Sequence, residues 1–179
     1  MRYVKPFLVA LSGFLAVTIG ISLLLPSRVM TSKWVMVHGD TGVALSELRR
    51  LQEWPAWNGL LASAGKVEAV LPGGNSARGG HLSWSSAGGG MNRVDITEDN
   101  ERGIACRMRL QGGKPMESGF SVEGRTADST QVVWFVIEDL QWYPWEKFYG
   151  MMAADVKGPL MQQSLERLKA RLEAGRRSP

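Results

Sequence analysis

The chain has 179 residues, 44% of them apolar, which suits one domain with a sizeable core and excludes a disordered polar chain. Three of its 21 basic residues, Arg2, Lys5 and Arg28, precede residue 31 and no acid does, so the remainder carries 18 basic against 17 acidic groups. A nearly neutral body without a basic run argues against nucleic acid as a partner. One cysteine, Cys106, excludes an internal disulfide, and two histidines, His38 and His81, are too few for a His-rich metal site.

Residues 7–25 contain no charge and form a helix about 28 Å long, close to the hydrocarbon thickness of a bilayer. A cleaved signal peptide shares this basic start and apolar core. The length of the core favours an uncleaved single span, as does the flank Leu25-Pro26-Ser27-Arg28-Val29-Met30, which lacks a small-x-small site. The amino terminus, Arg2 and Lys5 outnumber Arg28 and Lys33 by one charge, which places the body on the extracytoplasmic side.

Lys33 to His38 reads as a strand, and Gly39-Asp40-Thr41-Gly42 as a turn in which Asp40 or Thr41 caps a helix over Val43 to Leu51. Pro55 breaks the chain into short helices, with Trp54 and Trp57 packed together at the hinge. Strands follow at Lys66–Leu71, Gly80–Ser85, Met91–Glu98, Gly103–Leu110, Met116–Gly124 and Thr130–Glu138. Pro72-Gly73-Gly74-Asn75 and Gly88-Gly89-Gly90 mark turns, and the even spacing points to an antiparallel meander. No phosphate-binding or dinucleotide glycine motif is present, and no pattern calls for a cofactor.

The aromatic connection Leu140-Gln141-Trp142-Tyr143-Pro144-Trp145 leads to a short helix over Glu146 to Met152. Gly158-Pro159 then interrupts or turns the chain, and Leu160, Met161, Leu165, Leu168 and Leu172 recur at helical spacing. The expected class is α+β: a curved antiparallel sheet wrapped around a long carboxy-terminal helix, preceded by one transmembrane helix. Its division is an anchor with flanks at 1–30, a domain at 31–174 and a tail at 175–179.

This element order resembles the START-like helix-grip fold of the SRPBCC superfamily, in particular its polyketide cyclase/dehydrase and lipid transport group. The likeness rests on Leu51-Gln52-Glu53-Trp54-Pro55-Ala56-Trp57-Asn58, on Thr130-Gln131-Val132-Val133-Trp134 leading to Asp139-Leu140, and on Trp142 through Leu160. The sequence departs from the group at Gly39-Asp40-Thr41-Gly42-Val43-Ala44, where relatives often have a proline and a large aromatic residue. The resemblance implies a cavity beneath the last helix and a hydrophobic small molecule or lipid as partner. Binding without chemistry, a cyclase or hydrolase-like activity in the same cavity, and a tethered interaction module are the three functions it leaves open.

Site residues follow from the alternation of strand side chains. Trp84, Met108, Phe120, Val122 and Trp134 are the candidate ligand-binding wall, with ordinary core packing as the other reading of each. Cys106 faces inward as a small hydrophobe, while Arg93, Arg107 and Arg109 take the wet face, with an arginine at the cavity mouth as the functional alternative. No catalytic residue is assigned: His81 lacks an acid placed by spacing, Asp95, Glu98, Glu117 and Glu138 being the candidates, and His38 ends a strand beside a turn. Trp142, Tyr143 and Trp145 are expected to pack under the last helix, with a bilayer interface as the alternative.

Overall fold

In the computed structural model, described over residues 4–61, 64–71, 77–85, 89–126 and 128–177, the apolar alternation of the body is realised as one antiparallel sheet. A helix α1 (Val4–Leu24) leads into β1 (Arg28–His38), α2 (Thr41–Arg49) and α3 (Trp54–Trp57). The strands β2 (Val67–Val70), β3 (His81–Ser85), β4 (Met91–Asn100), β5 (Gly103–Arg109), β6 (Met116–Thr126) and β7 (Ser129–Asp139) follow, and α4 (Pro144–Arg177) closes the chain. The sheet order is β1-β7-β6-β5-β4-β3-β2: a meander of hairpins, with the first strand laid against the last. That pairing runs from Arg28↔Asp139 to His38↔Ser129. The turns expected at Pro72-Gly73-Gly74-Asn75 and at Gly88, and also Arg2, lie outside the described residues.

Each inward position repeats every second residue, as in Leu82 and Trp84 on β3, Cys106 and Met108 on β5, and Val132, Trp134 and Val136 on β7, all buried. Register shifts between Ile96 and Glu98 and between Gly124 and Thr126 mark the irregularities that bend the sheet. Gly103 opens β5 at φ +151°, where any side chain would meet the Phe120 carbonyl, so the β5–β6 approach needs glycine. Across the concave face, α4 buries Met161, Leu165, Leu168 and Leu172, each such side chain contributing about 1.5–3 kcal/mol of transfer free energy.

Asp40 caps α2 as expected, its Oδ1 accepting the Val43 N–H at 2.8 Å. Trp54 and Trp57 pack at the hinge with ring centroids 5.7 Å apart. Two elements, β1 and α4, differ from the sequence reading. β1 begins at Arg28, five residues early, because pairing with all of β7 satisfies its backbone. The helix expected to break at Gly158-Pro159 is continuous through both residues. Gly158 has no Cβ to clash with the following proline ring, and a Cβ there would meet only the flexible end of the Lys33 side chain, 2.7 Å from its Cε. The helix also runs on to Arg177, past Gly175.

Candidate functional site

Most of the space between the sheet and α4 is filled by rings. Phe120 on β6 lies 5.5 Å from Trp54, 5.6 Å from Trp57 and 5.3 Å from Trp134, centroid to centroid. Trp134 donates its indole N–H to Ser118 Oγ at 3.0 Å, and Trp54 donates to the Leu48 carbonyl at 2.9 Å. The Trp57 N–H is buried with no partner among the described residues. Deeply placed aromatic side chains leave an apolar pocket of about 60 Å³ between β5, β7 and α4, lined by Met108, Trp134, Val136, Leu160 and Met161 among others. A cavity of roughly 150 Å³ holds a benzene, so this pocket takes the tip of a ligand and not its whole body.

The pocket continues outward. Leu110, Met116 and Lys157 line both it and a wider vestibule of about 440 Å³, whose other walls are the 110–116 connection, the end of β7 and the first turns of α4. Charged groups gather here. Lys157 Nζ is ion-paired with Glu138 Oε2, both carried by half-buried residues, and stands 5.8 Å from the Tyr149 ring centroid. Lys114 Nζ lies 2.7 Å from Glu146 Oε1, and the Gln141 N–H donates to Glu146 Oε2. The Lys114 hydrogen bond, then that backbone donor, hold the Glu146 carboxyl below the usual carboxylate range. The site is therefore an apolar slot with an ammonium–carboxylate pair over its opening.

Of the five residues expected to form the ligand wall, Met108 and Trp134 line the pocket. Phe120 stands behind Trp134 in the aromatic cluster, and Trp84 and Val122 are buried elsewhere in the core. His81 pairs in register with Asp95 on the outer face, away from the groove. Asp95 itself is ion-paired to Arg93 at 2.6 Å, and Arg107 and Arg109 are exposed on the same outer face. The cation at the mouth is Lys157, which sequence reasoning passed over because Gly158-Pro159 looked like a break. Glu138 was visible only as one of several acids without a partner.

Burial pushes the Cys106 thiol up to about 12, against a smaller opposing effect of its Ser118 hydrogen bond, which makes it a hydrophobe and not a nucleophile. Among the described residues no group of three His, Cys, Asp or Glu side chains could hold a metal ion. A second, open cleft of about 530 Å³ lies between α2 and the end of α4. Its charges are spent on one another: Arg171 bonds Glu47 and Glu53, and His38 meets Glu173 at 3.0 Å. Glu47, and after it Glu53, hold the Arg171 guanidinium above its ordinary pKa. This cleft is a clasp holding α4 to α2.

α1 has the length and composition of a membrane span. The aromatic connection after β7 departs from expectation. Trp142 and Trp145 are 53% and 67% exposed and do not pack under α4. Trp145 instead stacks on Tyr143 at 4.9 Å, and Trp142 lies tilted against the same ring at 4.8 Å.

No known family's sequence profile matches the chain. No curated protein sequence matches it. Solved structures do. A START superfamily protein from Mycobacterium smegmatis aligns at 17% identity over 82% of this chain and 98% of its own, with a TM-score of 0.62. Norcoclaurine synthase from Thalictrum flavum, as a point mutant with a transition-state analogue, aligns at 13% identity over 83% and 96%, with a TM-score of 0.63. The Zhui aromatase/cyclase from Streptomyces sp. R1128 aligns at 17% identity over 84% and 97%, with a TM-score of 0.58. What these proteins share with the chain at such identities is architecture: a curved seven-stranded sheet gripping a long carboxy-terminal helix, which is the START-like helix-grip fold.

Proposed function

We propose that this chain is a membrane-tethered START-like protein that takes a small hydrophobic carbonyl compound into the groove under α4 and performs cyclase-type acid–base chemistry on it. The observation that carries the reading is Lys157, which lines both the apolar pocket and its vestibule and is ion-paired there with Glu138 of the vestibule wall. An apolar slot supplies affinity by burying ligand carbon, and a few polar groups at its mouth fix orientation. Glu138 removes a proton from the carbon beside the ligand carbonyl. The electron pair moves onto the carbonyl oxygen, where the Lys157 ammonium holds it. The enolate carbon then bonds to a second carbonyl carbon of the same molecule, and Glu138 returns its proton to the new alkoxide. The norcoclaurine synthase and aromatase/cyclase likenesses support chemistry of this class in this fold.

Binding without turnover is the second reading. It is favoured by the pocket wall, where Met108, Val136, Leu160 and Met161 present only carbon and sulfur and Trp134 has committed its N–H to Ser118. In both readings Met108 and Trp134 touch the ligand, while Trp84, Phe120 and Val122 support them from the core.

The test uses the full chain in phosphatidylcholine nanodiscs with phenylacetone in deuterated buffer, following loss of its α-protons by NMR. Exchange is expected to run faster than in buffer and to fall about 10²-fold or more in Glu138→Gln. Wild-type exchange no faster than buffer overturns the acid–base reading for such carbon acids. Native mass spectrometry of the same sample then decides whether a hydrophobic molecule is bound at all.

A further inference from the structure

The first three turns of α4 carry an apolar stripe that none of the described residues covers. Trp145, Phe148, Tyr149, Met152 and Val156 are all exposed and follow the i, i+3, i+4, i+7, i+11 pattern of one helix face. Asp155 stands at its margin. The opposite face, with Lys147, Gly150 and Ala153, is buried against the rest of the chain. Further along α4 the exposed line continues through Pro159, Gln163, Glu166, Arg167 and Ala170. The exposed face thus changes from aromatic and aliphatic to largely polar on passing Val156, about 16 Å of helix after Trp145.

The apolar half is the half nearest α1, and the two helices are joined by specific bonds. Ser22, buried in the last turn of α1, donates its Oγ hydrogen to the Trp142 carbonyl at 2.6 Å. Lys147 is 2% exposed and donates to the Leu25 carbonyl at 3.2 Å, the Pro26 carbonyl at 3.0 Å and Ser27 Oγ at 2.8 Å. A lysine ammonium on the carbonyls just beyond the end of α1 acts as a carboxy-terminal helix cap, so α1 leaves the domain at a fixed joint. The Trp142-Tyr143-Trp145 stack sits beside that joint, where a bilayer entered by α1 would have its interface.

We infer that the stripe Trp145, Phe148, Tyr149, Met152 and Val156, with Trp142, is a seat on the bilayer that α1 enters, so that the domain rests against the lipid. The inference rests on the reading of α1 as a membrane span. Indole and phenol rings match the headgroup level, having an apolar body and a polar tip. The loss of apolar character past Val156 matches a surface that dips into the interface only close to the anchor. Tyr149 belongs both to the stripe and to the wall of the vestibule, so seating places the groove mouth at the lipid–water boundary. A hydrophobic ligand then passes from membrane to pocket without crossing water.

The test places a nitrobenzoxadiazole label on Met152→Cys and, as control, on Gln163→Cys, both at exposed positions of the same helix face. Cys106 is buried, so the introduced thiol takes the label. The full chain is reconstituted in phosphatidylcholine nanodiscs with or without doxyl-labelled phosphatidylcholine. The label at 152 is expected to emit to the blue of the label at 163 and to be quenched about twofold or more by the doxyl lipid, with the label at 163 unaffected. Water-like emission at 152 overturns the seat while leaving the anchor standing. Blue emission at 152 without doxyl quenching also overturns it, because protein and not lipid then covers the stripe. Failure of the chain to enter nanodiscs overturns the anchor itself.

Discussion

Trp54 and Trp57 lie at the same depth against Phe120, yet only Trp54 has a partner for its indole N–H. Replacing Trp54 by Phe removes ring volume and leaves the Leu48 carbonyl without its donor, whereas Trp57→Phe removes ring volume together with an unpaired buried donor. Trp54→Phe is therefore expected to cost about 1–3 kcal/mol more than Trp57→Phe, read from chemical denaturation midpoints in mild detergent. Cys106 offers a pH test. Its thiol titrates near 12 when folded and near 9.0 when free, so the unfolded chain ionises first as pH rises. The thiol's contribution to folding stability is therefore lost as pH rises between those values, so stability should decline more steeply there in the wild type than in Cys106→Ala. The inward set Leu82, Trp84, Cys106, Met108 and Trp134 was legible because strand geometry repeats every two residues and each run alternates cleanly. Lys157 was not, because its meaning depends on Glu138, nineteen positions away along the chain and beyond an irregular connection.

Elements were legible where local chemistry decides them. Asp40 caps α2 through one side-chain bond to the Val43 N–H, and Asp40→Ala is expected to lower stability by about 1 kcal/mol in the same denaturation assay. The α4 break was misread because Gly-Pro is an unfavourable pair inside an isolated helix. The buried stripe of Met161, Leu165, Leu168 and Leu172 outweighs that cost once the sheet is present. Pro159 is exposed and lacks the N–H that would bond the Asp155 carbonyl, so Pro159→Ala is expected to stabilise the chain by about 1–3 kcal/mol.

At the scale of the molecule the α1–α4 joint decides how the domain is presented. Lys147→Met leaves the Leu25 and Pro26 carbonyls without their donor and should free the joint. Hydrogen exchange over residues 22–29 is then expected to rise about tenfold in nanodiscs, with β4 to β6 unchanged; an unchanged 22–29 segment would show that the rest of the interface holds α1 alone. The groove depends equally on long-range assembly. Its apolar tip comes from β5, β7 and α4, and its charges from the end of β7, the 110–116 connection and α4. Aromatic filling by Phe120, Trp54, Trp57 and Trp134 reduces the cavity implied by the resemblance to a small apolar pocket.

Charge gaps, glycine turns and two-residue alternation are local signals, and they made the apolar stretch at 7–25, the α+β class, the six meander strands and their inward faces legible along the chain. Long-range packing is what pairs β1 with β7, carries α4 through Gly158-Pro159 and brings Lys147 to the end of α1. The same packing sets Lys157 against Glu138 in the vestibule of an apolar pocket. Each of these brings together groups far apart in the chain, and the free energy that holds them comes from burial and hydrogen bonds that exist only after the sheet has closed on its helix.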